Sequence, residues 1–170
     1  LGHFRLNVIE VNAFIYGCPE TREAMLVDCG EFDPRLTEFV QRHELKLTTI
    51  FITHDHYDHV QGLRDAATHF GAMVYAGTDS PGGYRVDRVV NPGDTLQVGA
   101  MTGRLVDTSG HTPVGLSLIF PERVFTGDAL FAGSVGGTSN PEDYERQLKN
   151  IRENLFPLPD DTLVHCGHGP

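Results

Sequence analysis

The stretch Thr53-His54-Asp55-His56-Tyr57-Asp58-His59 places four candidate metal ligands, His54, His56, Asp58 and His59, within six residues. It follows the apolar run Thr49-Ile50-Phe51-Ile52, which predicts a buried strand that ends where the stretch begins. In an extended backbone, side chains two residues apart point to the same side. His54 and His56 are therefore expected to face one metal ion.

Asp58 and His59 occupy the positions where a helix is expected to follow the stretch. Their side chains therefore leave in a different direction and suit a second ion a few ångströms away. A polar turn whose histidines only cap a helix is the alternative interpretation. Four ligands at this spacing favour a metal site over that turn, whereas an isolated pair of histidines would not.

Three later segments each carry one further candidate ligand: Ser109-Gly110-His111-Thr112-Pro113, Thr126-Gly127-Asp128-Ala129-Leu130-Phe131 and Cys166-Gly167-His168-Gly169-Pro170. His111, Asp128 and His168 each follow a run that predicts a strand. Open α/β sheets commonly place their chemistry at strand ends. Taken alone, Asp128 would be interpreted as a turn residue.

These four segments, together with Asn12-Ala13-Phe14 and Val27-Asp28-Cys29-Gly30, resemble the motifs of the metallo-β-lactamase superfamily in their order along the chain. They are most similar to the glyoxalase II, or hydroxyacylglutathione hydrolase, branch, and the resemblance covers nearly the whole chain. Pattern alone predicts an α/β or α+β class, and the resemblance implies a four-layer αββα sandwich. We expect residues 1–170 to form a single domain of this fold, with the C-terminal extension of the family either absent or not included in this sequence.

The resemblance also implies how the candidate ligands divide between two divalent metal ions. The first ion takes His54, His56 and His111, the second takes Asp58, His59 and His168, and Asp128 bridges them. Asp58 and Asp128 are also the carboxylates assigned to catalysis. Imidazole and carboxylate ligands without a thiolate cluster suit zinc, with iron or manganese as alternatives.

A water bridging two such ions would lose a proton near neutral pH, and the resemblance implies that the resulting hydroxide attacks a thioester carbonyl. A thiolate leaves easily, because a thiol pKa of ~8.5 needs little help from an acid. The expected substrate is a small-molecule thioester of the hydroxyacylglutathione type. Tyr57 is a candidate donor to a substrate oxygen, with packing beside the loop as the alternative. Gly137 stands about where this branch usually carries a Lys or Arg that holds a carboxylate of glutathione.

Other reactions stay open at this point. A persulfide dioxygenase would hold a single iron on His54, His111 and Asp128, by the same resemblance, and would consume oxygen. A lactonase or β-lactamase would direct the hydroxide at another ester or amide. A flavodiiron protein is disfavoured, because His56 stands where that branch resembles His-x-Glu-x-Asp. The alternative outside the enzymes is a non-catalytic metal-binding domain.

The 170-residue chain has 39% hydrophobic residues and a formal net charge of −10. This acidic balance argues against a nucleic-acid partner, because phosphate binding requires a basic face. No run is apolar and long enough for a membrane span and no signal peptide is visible, so we expect no membrane association. Three cysteines without a CxxC spacing fit a reducing compartment, which predicts a cytoplasmic protein. The oligomeric state is not predicted.

The remaining patterns predict the scaffold around the candidate site. Short strands are expected within residues 4–17 and 23–28, followed by a helix that begins at Asp33-Pro34. A second helix is expected to be capped by Asp58 and to bury Val60, Leu63, Ala67 and Phe70, and residues 77–84 are expected to be a connecting loop. Ser139 or Asn140 should cap a third helix that buries Tyr144, Leu148, Ile151 and Leu155. His165 is expected to pack in a strand rather than bind metal.

Overall fold

The computed structural model describes all residues from 1 to 170, and most of its strands belong to two sheets. The first sheet has the order β1-β2-β3-β4-β5-β6, with strands Gly2–Arg5, Asn12–Gly17, Glu23–Val27, Lys46–Ile52, Met73–Ala76 and Arg88–Val89. The second has the order β13-β10-β9-β8-β7; in chain order its strands are Thr95–Val98 (β7), Met101–Asp107 (β8), Leu116–Phe120 (β9), Arg123–Gly127 (β10) and Leu163–Cys166 (β13). Leu130–Phe131 (β11) and Ser134–Val135 (β12) form a separate ribbon.

Parallel pairing places the candidate ligands at one end of both sheets. Strands β3, β4, β5 and β6 run parallel, so the chain leaves β3 at Asp28 and β4 at Thr53 on the same edge. In the second sheet β10 and β13 are parallel, whereas the other pairs are antiparallel. The backbone N–H of Asn12 donates to the Gly167 carbonyl at 2.7 Å and thereby ties the two sheets together beside the last loop.

Helices cover the outer faces of the two sheets. They are Pro34–Arg42 (α1), Tyr57–Val60 (α2), Leu63–Phe70 (α3) and Pro141–Asn154 (α4), and a single 3₁₀ turn lies at Pro81–Gly83. Asp33 caps α1 and Asn140 caps α4, each through a side-chain oxygen that accepts a backbone N–H. None of the helices is long and apolar enough to cross a membrane.

Three separate hydrophobic clusters fill the spaces between four layers. The largest packs α1 and α3 against the first sheet and contains Leu36, Leu63 and Ile50. A second lies between the sheets, where Phe51 meets side chains of the second sheet, and a third packs α4 on the outer face of that sheet. The second half of strand β4 is buried on both faces, which explains its continuous apolar sequence Ile50-Phe51-Ile52. The predicted αββα sandwich is confirmed, whereas the single domain over residues 1–170 stays a prediction.

The helix predicted after Asp58 is in fact two helices, and Asp58 does not cap it. His56 occupies the N-cap position of α2 without a side-chain cap, and Asp58 lies within the first turn. The helix breaks because the N–H of Gly62 donates to the Cys29 carbonyl and the N–H of Cys29 donates to the His59 carbonyl, each at 2.8 Å. These bonds to the end of β3 replace helical ones. Helix α3 ends at Gly71, which has φ of 62°, a left-handed conformation that glycine adopts readily.

The predicted apolar stripe of α4 is also partly wrong. Ile151 and Leu155 are buried as expected, but Tyr144 is 43% exposed and Leu148 is only half-buried. Gln147 occupies the most buried position of the helix instead, with 0% of its surface exposed. Helix α4 packs on loops as well as on the sheet, and loop carbonyls require hydrogen-bond donors rather than apolar groups.

Residues 77–84 connect β5 to β6 as expected. This loop also contacts the His54–His59 stretch, because the Gly82 N–H donates to Asp55 Oδ1 at 2.8 Å. His165 is packed as predicted: its ring centroid lies 5.1 Å from that of Phe125 and 5.1 Å from that of Phe14.

Candidate metal centre

The structure brings all seven predicted ligands into one cluster. They come from the end of β4, from α2, from the β8–β9 loop and from the residues that follow β10 and β13. The ligand atoms form three groups, each with all its atoms within 4.8 Å of one another: His54, His56 and His111; Asp58, His59 and His168; and His54, His59 and Asp128. The first two groups share no residue and match the two triads that the resemblance implied.

Asp128 lies between these two triads. Its Oδ1 is 3.3 Å from His59 Nε2, and its Oδ2 is 3.5 Å from both His111 Nε2 and His168 Nε2. Gly167 lets the carboxylate approach so closely, since a Cβ at that position would lie 2.0 Å from Asp128 Oδ1. One carboxylate can therefore reach a ligand from each triad.

Several buried polar atoms in the cluster have no hydrogen-bond partner within the protein. They are His54 Nε2, His59 Nε2 and Asp128 Oδ1. An unpaired buried polar atom is costly and is uncommon in native proteins. Three such atoms pointing at one another suit a divalent cation, which accepts lone pairs from imidazole and carboxylate groups alike. The donor set therefore fits metal binding.

A network behind the cluster sets the orientation of two imidazoles. His59 Nδ1 lies 2.8 Å from Asp28 Oδ2, and a carboxylate can only accept, so Nδ1 carries the hydrogen and Nε2 is free for a metal. The Thr53 hydroxyl donates to the same Oδ2 at 2.8 Å. Its oxygen then accepts from His54 Nδ1 at 3.0 Å, which leaves His54 Nε2 free as well.

A backbone carbonyl orients His111 in the same way. His111 Nδ1 donates to the Gly137 carbonyl at 2.6 Å, so His111 Nε2 faces the cluster without a hydrogen. His56 Nδ1 lies 3.0 Å from that Nε2. Gly137, which we selected from the sequence as a substrate position, thus has a backbone role that the sequence did not indicate.

The orienting residues Asp28 and Thr53 were missed as functional residues in the sequence analysis. Asp28 stands at the end of a strand and has φ of 56°, a left-handed conformation that is uncommon for a residue other than glycine. The sequence offered two signals for Asp28: it follows an apolar run, and it belongs to the Val27-Asp28-Cys29-Gly30 segment of the resemblance. The contact itself joins residues 31 positions apart, which no local pattern encodes.

The carboxylates and imidazoles strongly change one another's protonation. Burial alone would lower the pKa of His59, but the Asp28 and Asp128 carboxylates outweigh burial and raise this pKa to about 10. Burial alone would raise the pKa of Asp128, but the close approach and the charge of His59 lower it to about 2. Burial, and then the charge of His59, hold the pKa of His54 well below its ordinary value. Before metal binds, His59 and Asp128 are therefore an ion pair, and His59 must release its proton to become a ligand.

The two predicted substrate residues are neighbours of candidate ligands: Tyr57 lies between His56 and Asp58 in the chain, and the Gly137 carbonyl contacts His111. Tyr57 is 59% exposed and borders an open groove together with Arg64 and Tyr84. Gly137 faces open space, because a Cβ at that position would meet no atom within 4 Å. Cys166, which precedes the candidate ligand His168 by two residues, is buried and belongs to none of the three ligand groups.

The fold and the cluster together define an αββα sandwich protein with a site for divalent metal. The family model described as the metallo-beta-lactamase superfamily matches residues 6–168, and the chain belongs to this superfamily. The chain is 29% identical to hydroxyacylglutathione hydrolase GloC of Haemophilus influenzae, with 96% of this chain and 90% of that protein covered. It is 35% identical to the hydroxyacylglutathione hydrolase of a Cyanothece species, with 96% of this chain but 66% of that protein covered.

The chain spans 51% to 65% of the length of six further curated relatives named hydroxyacylglutathione hydrolase. Among solved structures, it resembles the B3 metallo-beta-lactamase BLEG-1, with a TM-score of 0.87, 26% identity, and 99% of this chain and 91% of that chain covered. It resembles ETHE1 from Myxococcus xanthus at 0.88 and 29% identity, with 99% and 75% covered. It also resembles TTHA1623 in a di-iron-bound form at 0.79 and 27% identity, with 100% and 93% covered.

Proposed function

We propose that this chain is a metal-dependent hydrolase that cleaves a small-molecule thioester of the hydroxyacylglutathione type and holds two divalent ions. The observation that carries the proposal is the pair of ligand triads on either side of Asp128, each with ligand atoms within 4.8 Å of one another. The relatives named hydroxyacylglutathione hydrolase support the choice of substrate. Zinc is the proposed metal, with iron or manganese as alternatives.

Each triad would hold one ion and Asp128 would contact both. Bound in this way, two divalent ions supply a water whose pKa falls from ~15.7 towards ~7 and polarise an acyl carbonyl. The buried Asp58 and Asp128 carboxylates balance part of the positive charge, and Asp58 Oδ2 lies 3.1 Å from His168 Nε2. Asp28, Thr53 and the Gly137 carbonyl keep three imidazoles in the tautomers that binding requires.

The leaving group makes a thioester a suitable substrate for this set of residues. Metal binding would occupy the histidines of the cluster. The further buried carboxylate beside them, Asp28, already accepts hydrogen bonds from His59 and Thr53. A thiolate departs without strong protonation, because thiol pKa values lie near ~8.5. Tyr57 is exposed and lies between His56 and Asp58 in the chain, and we propose that its hydroxyl donates to an oxygen of the acyl group.

A persulfide dioxygenase with one iron on His54, His111 and Asp128 is the second candidate. His54 Nε2 and His111 Nε2 lie 3.9 and 3.5 Å from Asp128 Oδ2, which is compatible with a single shared ion. A single iron at that position would leave Asp58, His59 and His168 without a metal to bind, although their ligand atoms also lie within 4.8 Å of one another. The hydrolase therefore accounts for more of the site.

Metal analysis and two activity measurements distinguish these reactions. We expect the metal-depleted chain to take up two zinc ions and then to release thiol from lactoylglutathione without consuming oxygen. His168→Ala should lose about one ion, whereas His43→Ala, at an exposed helix end, should lose none. A single iron that survives His168→Ala, with oxygen uptake on glutathione persulfide, would establish the dioxygenase instead. The cytoplasmic location and the lack of a nucleic-acid partner stay predictions.

A further inference from the structure

Helix α4 turns a row of three carboxamide side chains towards the metal centre. Gln147, Asn150 and Asn154 are spaced i, i+3 and i+7, which places them on one face of the helix. Each amide nitrogen donates to a backbone carbonyl: those of Gln147 and Asn150 donate to loops that carry a candidate ligand, and that of Asn154 donates to the strand end before such a loop. Helix α4 itself supplies no ligand.

Gln147 holds the loop that follows Asp128. Its Nε2 donates to the Ala129 carbonyl at 2.9 Å and to the Gly136 carbonyl at 3.3 Å. Ala129 is the neighbour of Asp128, and Gly136 is the neighbour of Gly137, whose carbonyl orients His111. One side chain therefore supports both the bridging carboxylate and the partner of an imidazole.

Asn150 and Asn154 hold the loop that carries His111. Asn150 Nδ2 donates to the Ser109 carbonyl at 3.1 Å, and Asn154 Nδ2 donates to the Asp107 carbonyl at 2.9 Å. Gly110 brings this loop directly against the helix, since a Cβ on Gly110 would lie 2.3 Å from Gln147 Cβ. The same helix face thus fixes the loop before His111 and the loop after Asp128.

We propose that this carboxamide row consists of positioning residues that set the separation of His111 from Asp128, and through it the metal affinity of the site. His111 Nε2 and Asp128 Oδ2 lie 3.5 Å apart, although their loops leave different strands. This inference rests on the metal centre of the proposed function. It assigns the carboxamide row of helix α4 to holding the candidate ligands in place without contacting the metal.

The burial of Gln147 argues for positioning rather than simple filling. Its side chain is completely buried, and its Oε1 has no hydrogen-bond partner. Leaving a buried acceptor unpaired is costly, so the residue is a poor choice for stability alone. The glutamine instead contributes two hydrogen bonds from Nε2 to the loop that follows Asp128.

The test measures metal affinity rather than turnover. Gln147→Met keeps the length of the side chain and removes both donor bonds. Lys149→Met introduces the same residue at an exposed position of the same helix. The full chain is depleted of metal, and zinc and cobalt affinities are measured by competition with a chromophoric chelator. The free energy of unfolding of the metal-depleted proteins is measured by urea titration.

We expect Gln147→Met to weaken the binding of one ion roughly 10- to 100-fold, as loss of an outer partner of a ligand does, and Lys149→Met to leave affinity unchanged. Asn150→Ala and Asn154→Ala should act in the same direction with smaller effects. A changed unfolding free energy with unchanged affinity would overturn the inference and leave α4 a plain scaffold.

If Gln147→Met does not fold, the two asparagine variants decide. Unchanged affinity in both would overturn the inference. A wild-type chain that binds neither zinc nor cobalt would overturn the proposed function itself. If the wild type binds the metals and the variants bind them with the same affinity, only the positioning role is overturned.

Discussion

Asp28 Oδ2 lies 2.8 Å from His59 Nδ1, and the same oxygen accepts the hydroxyl of Thr53. Thr53 in turn accepts from His54. One carboxylate therefore orients an imidazole in each of the two triads, directly in the second and through a hydroxyl in the first. Its other oxygen accepts the Thr53 N–H at 2.8 Å, so both oxygens of Asp28 are acceptors.

Asp28→Asn should lower metal affinity roughly 10- to 100-fold while the chain remains folded. Asparagine tolerates the left-handed backbone of Asp28, but its NH₂ group must face a donor in either orientation, because both carboxylate oxygens accept hydrogen bonds. Chelator competition measures the loss. Asp161→Asn, at an exposed position, is the control, and equal affinities in the two variants would contradict the orienting role.

Asp128→Asn should cost more than His168→Ala. Asp128 approaches ligands of both triads, whereas His168 belongs to one. Loss of the shared carboxylate removes charge as well as geometry, so kcat should fall on the order of 10²-fold or more, with both ions weakened. Metal content and kcat are measured together. Equal and mild effects of the two substitutions would argue against a dinuclear mechanism.

Gly137→Arg should lower KM for a glutathione thioester selectively. The position faces open space and lacks a left-handed backbone angle, so a long side chain can be accommodated. A charge-assisted bond to a glutathione carboxylate would improve affinity about 10- to 150-fold. An uncharged thioester of N-acetylcysteamine should be unaffected. If the wild type already prefers the glutathione thioester by about a hundredfold, another residue holds the carboxylate.

Acid should destabilise the protein partly through His165. Burial, with the charges of Arg123 and His3, lowers the pKa of His165 to about 4. The folded state keeps this imidazole neutral while the unfolded state binds a proton below a pKa of about 6.5, so stability falls as the pH drops from about 6.5 to about 4.

His165→Phe should flatten this part of the stability profile, because phenylalanine retains the packing against Phe14 and Phe125 and cannot bind a proton. Urea titrations at several pH values measure the slope. His43→Phe, at an exposed helix end, should keep the wild-type slope. An unchanged slope in His165→Phe would show that another group titrates in this range.

Features that depend on neighbouring residues were predictable from the sequence. The spacing of His54, His56, Asp58 and His59 follows from the direction of a strand end and a helix start, and the caps at Asp33 and Asn140 depend on the first turn of each helix. The ligand list as a whole came from the order of four motifs and their resemblance to a superfamily.

Features that depend on contacts distant in sequence were decided only by the tertiary structure. The bond between Asp28 and His59, the break between α2 and α3 at Gly62, and the burial of Gln147 all arise where separate elements pack together. A backbone carbonyl or a buried nitrogen must find its partner wherever the fold places one. Periodicity and local propensity carry no information about such partners, so the sequence could indicate the candidate ligands that the fold gathers but not the groups that orient them.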